Sequence, residues 1–86
     1  MPHHADPSFW HAYRNLPEPI RDRADKAFDL LVQDPRHPSL QFKKVGAYWS
    51  ARVTLGYRAL AVEADDGLLW FWIGTHDEYV RLIAQP

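Results

Sequence analysis

The chain contains no cysteine, only four glycines and no long hydrophobic run. The absence of cysteine excludes disulfides, thiol nucleophiles and sulfur-ligated zinc, and it is compatible with a reducing compartment. The longest apolar run, from Leu68 to Gly74, is too short to cross a bilayer. The sequence also predicts no signal peptide, so we expect a cytoplasmic protein with no membrane contact.

Size and composition predict one small folded domain. The 86 residues are 47% hydrophobic and 14% aromatic, and 24% are charged, which is the ordinary level for a globular protein. A chain of this length forms one domain around a small core, so residues 1–86 are expected to fold as a unit.

The charged residues are unevenly distributed, although the net charge is only −1. The segment 35–62 contains five basic side chains and no acidic one: Arg36, Lys43, Lys44, Arg52 and Arg58. Both flanking segments are acidic, with six acids against four basic residues in 1–34 and five acids against one arginine in 63–86. This segregation indicates an anion-binding face on a protein that is not basic as a whole.

Two helices are predicted in the first part of the chain. Asp6 followed by Pro7 is a typical helix start, and this first helix should extend to about Asn15. The second helix should run from Pro19 to about Gln33, because apolar residues recur there at helical spacing and charged residues fill the opposite face.

After Ser39 the apolar residues alternate, which predicts four strands. They are expected at Leu40–Val45, Trp49–Leu55, Tyr57–Ala64 and Leu68–Ile73. Thr75 with Glu78 fits a capping box and predicts a short C-terminal helix. The predicted class is therefore α+β, with two N-terminal helices packed on a four-stranded antiparallel sheet and a short C-terminal helix.

Four segments of the second half carry a resemblance to a known family. They are Leu40-Gln41-Phe42-Lys43-Lys44-Val45, Trp49-Ser50-Ala51-Arg52-Val53, Gly56-Tyr57-Arg58-Ala59-Leu60 and Trp72-Ile73-Gly74-Thr75-His76-Asp77-Glu78-Tyr79. In this order and spacing they resemble the RelE/ParE superfamily, the toxins of bacterial type II toxin–antitoxin systems. The fold that this resemblance implies is RelE-like, with two helices on one face of a small antiparallel sheet, and it agrees with the predicted class.

The resemblance implies one of two activities. RelE-like members cleave mRNA without a metal, usually in the ribosomal A site, whereas ParE-like members inhibit DNA gyrase without enzymatic chemistry. We favour the metal-independent mRNA endoribonuclease, which needs no cofactor and has mRNA and the ribosome as partners. The alternative is an inhibitor of gyrase or another protein-binding module.

The resemblance also implies a cognate antitoxin as a partner. Members of the family normally begin with a strand, but residues 1–8 are short and polar, so we expect this strand to be missing. An unpaired sheet edge would then accept an extended and acidic antitoxin segment. The alternatives are that the chain's own N-terminus covers the edge, or that a second copy does so in a homodimer.

Three residues are predicted to be catalytic. Metal-free RNA cleavage needs a base for the 2′-hydroxyl, cations for the charged phosphorane and an acid for the leaving 5′-oxygen. Arg58 matches the family's Tyr-Arg position and would clamp the phosphate, unless it is a structural arginine paired with a carboxylate. His76, at the end of a predicted core strand, would act in proton transfer, unless it is a solvated loop histidine. Arg52 would assist on the phosphate, and we expect both Arg58 and His76 to lie in a cleft rather than in the core.

Substrate binding is predicted for Lys43, Lys44 and Tyr79. The two lysines point to opposite faces of a strand, so at most one of them can face the site. Such a charged pair on an edge strand also protects against aggregation, which is the alternative. Tyr79 could stack on a base, or it could fill the core.

One pair of tryptophans and one group of histidines are expected to have no direct role in function. Trp70 and Trp72 are expected to point the same way from one strand, as part of the core rather than as base-stacking residues. His3, His4 and His11 match no metal-ligand spacing, so no metal site is predicted and a mobile polar N-terminus is expected.

Overall fold

A computed structural model describes residues 2–84 and gives the element order of the chain. The elements are β1 His3–Ala5, α1 Pro7–Arg14, α2 Glu18–Gln33, a 3₁₀ turn Pro38–Leu40, β2 Lys43–Val45, β3 Tyr48–Thr54, β4 Tyr57–Ala64, β5 Gly67–Thr75 and α3 His76–Ile83. The strands form one sheet in the order β1-β5-β4-β3-β2. The predicted α+β class is confirmed, but the sheet has five strands and is mixed.

Helices α1 and α2 pack on one face of the sheet, as predicted. Asp6 caps α1, since its carboxylate accepts a hydrogen bond from the Ser8 backbone N–H at 2.9 Å. Buried side chains of the sheet form a core cluster with both helices: Ala51, Ala59, Ala61, Leu68, Trp70 and Ile73. We call the surface that carries them the helix face. None of the helices described between residues 2 and 84 is long and apolar enough to cross a membrane.

The expectation of a missing first strand is wrong. Strand β1 runs parallel to β5, with His3 opposite Leu68 and Ala5 opposite Trp70. Backbone hydrogen bonds hold it, including Asp6 N–H to the Trp70 carbonyl at 2.8 Å and Leu68 N–H to the Pro2 carbonyl at 3.0 Å. Polar residues can form this strand because the backbone makes the pairing. The chain's own N-terminus therefore covers the β5 edge at Leu68–Trp70, where the predicted antitoxin strand has no place.

Two predicted strands extend beyond the strands of the structure, and the one predicted at Leu68–Ile73 is shorter than β5, Gly67–Thr75. The strand expected at Leu40–Val45 contains only Lys43–Val45, because Leu40 lies in the 3₁₀ turn and Gln41 has a left-handed backbone with φ of 44°. Strand β3 ends at Thr54, and the side chain of Leu55 is 79% exposed in the following turn. The alternation of apolar residues therefore predicted a start that is too early for β2 and an end that is too late for β3.

A β-bulge in β5 overturns the predicted common orientation of Trp70 and Trp72. Trp70 pairs with Ala61 and Trp72 pairs with Leu60, so Phe71 is an extra residue in β5. Directly opposed residues of an antiparallel pair lie on the same face, and consecutive residues of β4 lie on opposite faces. Trp70 is therefore on the helix face with Ala61 and is 5% exposed, whereas Trp72 lies on the other face with Leu60.

Replacing Gly67 by alanine should detach β1. A Cβ at this position would collide with the Pro2 backbone carbonyl, which accepts the Leu68 N–H. We expect Gly67→Ala to lower the free energy of unfolding by about 1–3 kcal/mol, measured by urea denaturation, and to speed amide exchange at Leu68. Gly56→Ala is the matched control, because an added Cβ at Gly56 meets no atom within 4 Å. Equal effects of the two substitutions would contradict this account of β1.

Glu63 should make the protein less stable in acid. Its carboxylate accepts a hydrogen bond from Trp49 Nε1 at 3.1 Å and lies 3.3 Å from Lys44 Nζ. The Trp49 hydrogen bond, followed by Lys44, holds the pKa of Glu63 below its ordinary value of 4.5. The contribution of Glu63 to stability is therefore present above the unfolded-state pKa and is lost as the pH falls through the lowered folded-state pKa. We expect the Tm of the unchanged protein and the Tm of Glu63→Gln to converge as the pH falls. If the two plots of Tm against pH run parallel, the Glu63 carboxylate does not have this role.

Candidate functional site

The second face of the sheet carries two rows of paired residues. One row is Lys43, Ser50, Leu60 and Trp72, and the next is Arg52, Arg58 and Gly74. The rows lie two residues apart along each strand, or about 7 Å. We call this surface, which lies opposite the helix face, the arginine face. No residue in either row is acidic.

Arg58 is anchored by the turn between β3 and β4. Its Nη1 donates hydrogen bonds to the backbone carbonyls of Thr54, Leu55 and Tyr57 at 2.6, 3.1 and 3.0 Å. The residue is only 9% exposed, so Arg58 is more buried than we expected for a residue that lies in a cleft rather than in the core. Burial fixes the guanidinium in one position and makes Arg58 part of the framework of the turn.

The positive charge of Arg58 is not compensated by a carboxylate. Among residues 2–84 the only ion pairs join His4 to Asp66 and Lys44 to Glu63, so the carboxylate-paired alternative is excluded within this range. Burial, followed by the nearby charge of Arg52, lowers the pKa of the Arg58 guanidinium. A buried cation beside a second cation favours the binding of an anion.

Arg52 lies directly opposite Arg58 across β3 and β4. It is half-buried, and its register places it on the arginine face as predicted. Two guanidinium groups on neighbouring strands can contact two oxygens of one phosphate group.

His76 lies at the end of β5 and opens α3. Its backbone N–H donates to the Gly56 carbonyl at 2.8 Å, which fastens the start of α3 to the turn that holds Arg58. Thr75 caps α3 as predicted, since its Oγ1 accepts the Glu78 N–H at 3.3 Å. The His76 side chain is exposed, so it can exchange protons with a ligand bound beside the turn.

Tyr79 is a packing residue in this structure. Its side chain is 7% exposed, and its ring centroid lies 5.6 Å from that of His76. Burial favours the predicted alternative, in which Tyr79 fills the core, over stacking on a base. Its contact with the His76 ring restricts where the imidazole can lie.

The two lysines separate as strand alternation predicts. Lys43 pairs with Ser50, so it lies on the arginine face, and its side chain is exposed. Lys44 pairs with Trp49 and forms an ion pair with Glu63 on the helix side. Only Lys43 is therefore placed with Arg52 and Arg58.

Sequence reasoning missed Trp72 as a component of this face. A Cβ added at Gly74 would lie 2.5 Å from Trp72 Cζ2, so the indole ring covers Gly74, which pairs with Arg58. The Trp-Ile-Gly spacing was the available signal, because a glycine two residues after an aromatic residue in a strand leaves room for the ring.

A cavity of about 530 Å³ lies on the helix face and shares only Arg52 with this site. It is lined mainly by apolar and aromatic residues of α1, α2 and the sheet, and although Arg52 borders it, Arg58 and His76 do not. No group of three or more His, Cys, Asp or Glu side chains in the described part of the chain could hold a metal ion. His3 and His4 instead contact Trp70 Nε1 at 3.0 Å and Asp66 at 3.2 Å.

The arrangement on the arginine face suits chemistry on a phosphodiester. Arg58 and Arg52 supply fixed positive charge, and His76 supplies an imidazole, which can donate or accept a proton. All three lie around the β3–β4 turn and the start of α3. Neither of the two rows described above contains a histidine.

Sequence comparisons find no relatives: no protein-family model matches the chain, and no curated protein matches it. Solved structures are similar in three dimensions. A chain of the RelB–RelE antitoxin–toxin complex from Methanococcus jannaschii has a TM-score of 0.70 at 14% identity, with 92% of this chain and 96% of that chain covered. YafQ from E. coli strain BL21(DE3) gives 0.72 at 13% identity, with 91% and 96% covered.

A third similar structure is the YoeB/ParE toxin from Agrobacterium tumefaciens, with a TM-score of 0.66 at 15% identity and coverage of 88% and 99%. Similarity at such low identity, over nearly the whole of each chain, concerns the arrangement of the backbone. The predicted resemblance is thereby confirmed at the level of structure: the chain has the RelE-like toxin fold.

Proposed function

We propose that the chain is the toxin of a type II toxin–antitoxin pair and that it cleaves mRNA without a metal, thereby blocking translation. The observation that carries the proposal is the buried Arg58 guanidinium, which has no carboxylate partner among residues 2–84 and faces Arg52 across two strands. Such a site binds a phosphate group, and the two rows of the arginine face contain no acid that would repel one.

The reaction is an internal displacement at phosphorus. The RNA 2′-oxygen attacks the adjacent phosphorus and gives its proton to water, the bond from phosphorus to the 5′-oxygen breaks, and a 2′,3′-cyclic phosphate forms. Arg58 and Arg52 stabilise the additional negative charge of the phosphorane. We assign His76 the delivery of a proton to the leaving 5′-oxygen, because it is exposed and lies beside the turn that holds Arg58.

The proposed partners are mRNA, the ribosome and a cognate antitoxin. Solved relatives of this fold include the RelB–RelE and DinJ–YafQ complexes. Because β1 pairs with Leu68–Trp70 at the β5 edge, we propose that an extended antitoxin segment pairs instead with the β2 edge at Lys43–Val45. An acidic segment would complement Lys43 and the two arginines.

The first test replaces the residues that would act on the phosphate. His76→Gln and Arg52→Ala should each reduce RNA cleavage by about two to four orders of magnitude, because they remove a proton donor or a cation. Cleavage is measured by primer extension on mRNA in a cell-free translation reaction, and toxicity by growth arrest on expression. The matched controls are His11→Gln and Arg23→Ala, which change exposed residues of α1 and α2.

Arg58 needs a milder substitution than alanine. Arg58→Ala removes three hydrogen bonds from the β3–β4 turn, so it should lower the Tm as well as the activity. Arg58→Lys keeps the charge and loses the planar fork, which is the informative change. Full cleavage by His76→Gln and Arg52→Ala at normal expression would refute the proposal, and gyrase-dependent DNA damage without mRNA cuts would favour the ParE-like alternative.

The second test compares the neighbouring lysines. Binding of a single-stranded RNA that cannot be cleaved should weaken as salt rises, despite the net charge of −1. Lys43→Ala should reduce the slope of log K against log salt by about 0.7, the value for one phosphate contact on a single strand. Lys44→Ala should leave the slope unchanged, because Lys44 is paired with Glu63 on the opposite face. The same slope change for both variants would place the RNA elsewhere.

A further inference from the structure

The arginine face carries aromatic rings that the proposed chemistry does not use. Trp72 lies in the row of Lys43, and Tyr48 lies on the same face because it precedes Trp49 by one residue in β3. The ring centroids of Tyr48 and Phe71 are 5.6 Å apart, which brings Phe71 to this face as well. All three residues are half-buried.

The bulge at Phe71 is what brings the aromatic residues together. Without the extra residue, strict alternation along β5 would put Phe71 alone on one face and both tryptophans on the other. With it, Trp70 stays in the core while Phe71 and Trp72 both reach the arginine face. Bulges commonly reorient side chains beside functional sites.

Trp72 is held in place next to the buried arginine. Its indole ring covers Gly74, the residue that pairs with Arg58. The ring therefore lies beside the row that contains Arg58. We expect an unpaired base that follows or precedes a phosphate bound by Arg58 to reach this ring.

The charges around the rings match a nucleic-acid strand. Lys43 lies at one end of the Trp72 row, and Arg52 and Arg58 form the next row, so basic groups lie close to the aromatic ones. Rings beside cations are typical of surfaces that stack bases and hold the connecting phosphates.

We propose that Trp72 is a stacking platform for an unpaired RNA base next to the phosphate held by Arg58, and that Tyr48 and Phe71 continue the aromatic surface along the strand. The inference rests on the proposed function and adds a base-binding subsite to it. Stacking accepts every base, so this subsite favours single-stranded RNA over duplex RNA without selecting a sequence.

The experiment compares intact and abasic RNA. A short single-stranded RNA with a 2′-deoxy linkage at the cut site is titrated by fluorescence anisotropy, and an abasic nucleotide is then placed at each position in turn. For the unchanged protein, one abasic position should weaken binding by about five- to a hundredfold. For Trp72→Leu, intact RNA should bind as weakly as that abasic RNA, with the salt slope unchanged.

Control variants separate stacking from folding. Trp10→Leu changes a tryptophan of α1 that is 44% exposed, and Phe28→Leu changes a phenylalanine of α2 that is 49% exposed; both should preserve the abasic effect. Trp72→Phe keeps a ring at the site and should retain most of it. This variant keeps the proposal falsifiable if Trp72→Leu does not fold.

Three results would overturn the subsite. Normal cleavage with no abasic effect at any position would refute stacking and leave the proposed function intact. An abasic effect that survives in Trp72→Leu would assign the base to another residue. Failure of the unchanged protein to bind or cleave RNA would refute the proposed function and the subsite together.

Discussion

The pairing of β4 with β5, with Phe71 as one extra residue, determines the two faces of this sheet. On one side of the bulge Trp70 completes the core under α1 and α2; on the other side Trp72 lies with the arginines. If β4 and β5 paired without a bulge, both indole rings would lie on one face of the sheet, and Arg58 would lie beside smaller side chains. The bulge therefore allows one apolar strand to serve a packed core and a charged surface together.

Three of the five basic residues of segment 35–62 lie on the arginine face: Lys43, Arg52 and Arg58. Acidic residues lie on α2, in the β4–β5 turn, in the first turn of α3 and at Glu63, where the carboxylate engages Lys44 on the helix side. The arginine face keeps its positive charge because Arg58 is held by neutral carbonyl groups rather than by a carboxylate. A protein with a net charge of −1 can thereby present a local surface that attracts anions.

Local patterns predicted much of the fold and part of the site. The extent of α2 follows from its helical period, the Thr75 cap from its spacing to Glu78, and the separation of Lys43 from Lys44 from strand alternation. Strand β1 could not be predicted from its side chains, because backbone hydrogen bonds to a strand some 65 residues away hold it.

Neither the β-bulge at Phe71 nor the burial of Arg58 could be predicted from the sequence, and the reasons are related. Strand β5 is apolar on both faces, so an extra residue changes no visible pattern at Phe71. The partners of Arg58 are carbonyl oxygens, which every residue has, so no sequence signal marks them.

Strand β1 also has a consequence for the order of folding. Strands β3, β4 and β5 are joined by short turns, whereas His3 can meet Leu68 only after most of the chain has been synthesised. The hairpins that carry Arg52, Arg58 and Trp72 can therefore form before the N-terminus docks, and an extension fused to the N-terminus would act on the last strand to be added.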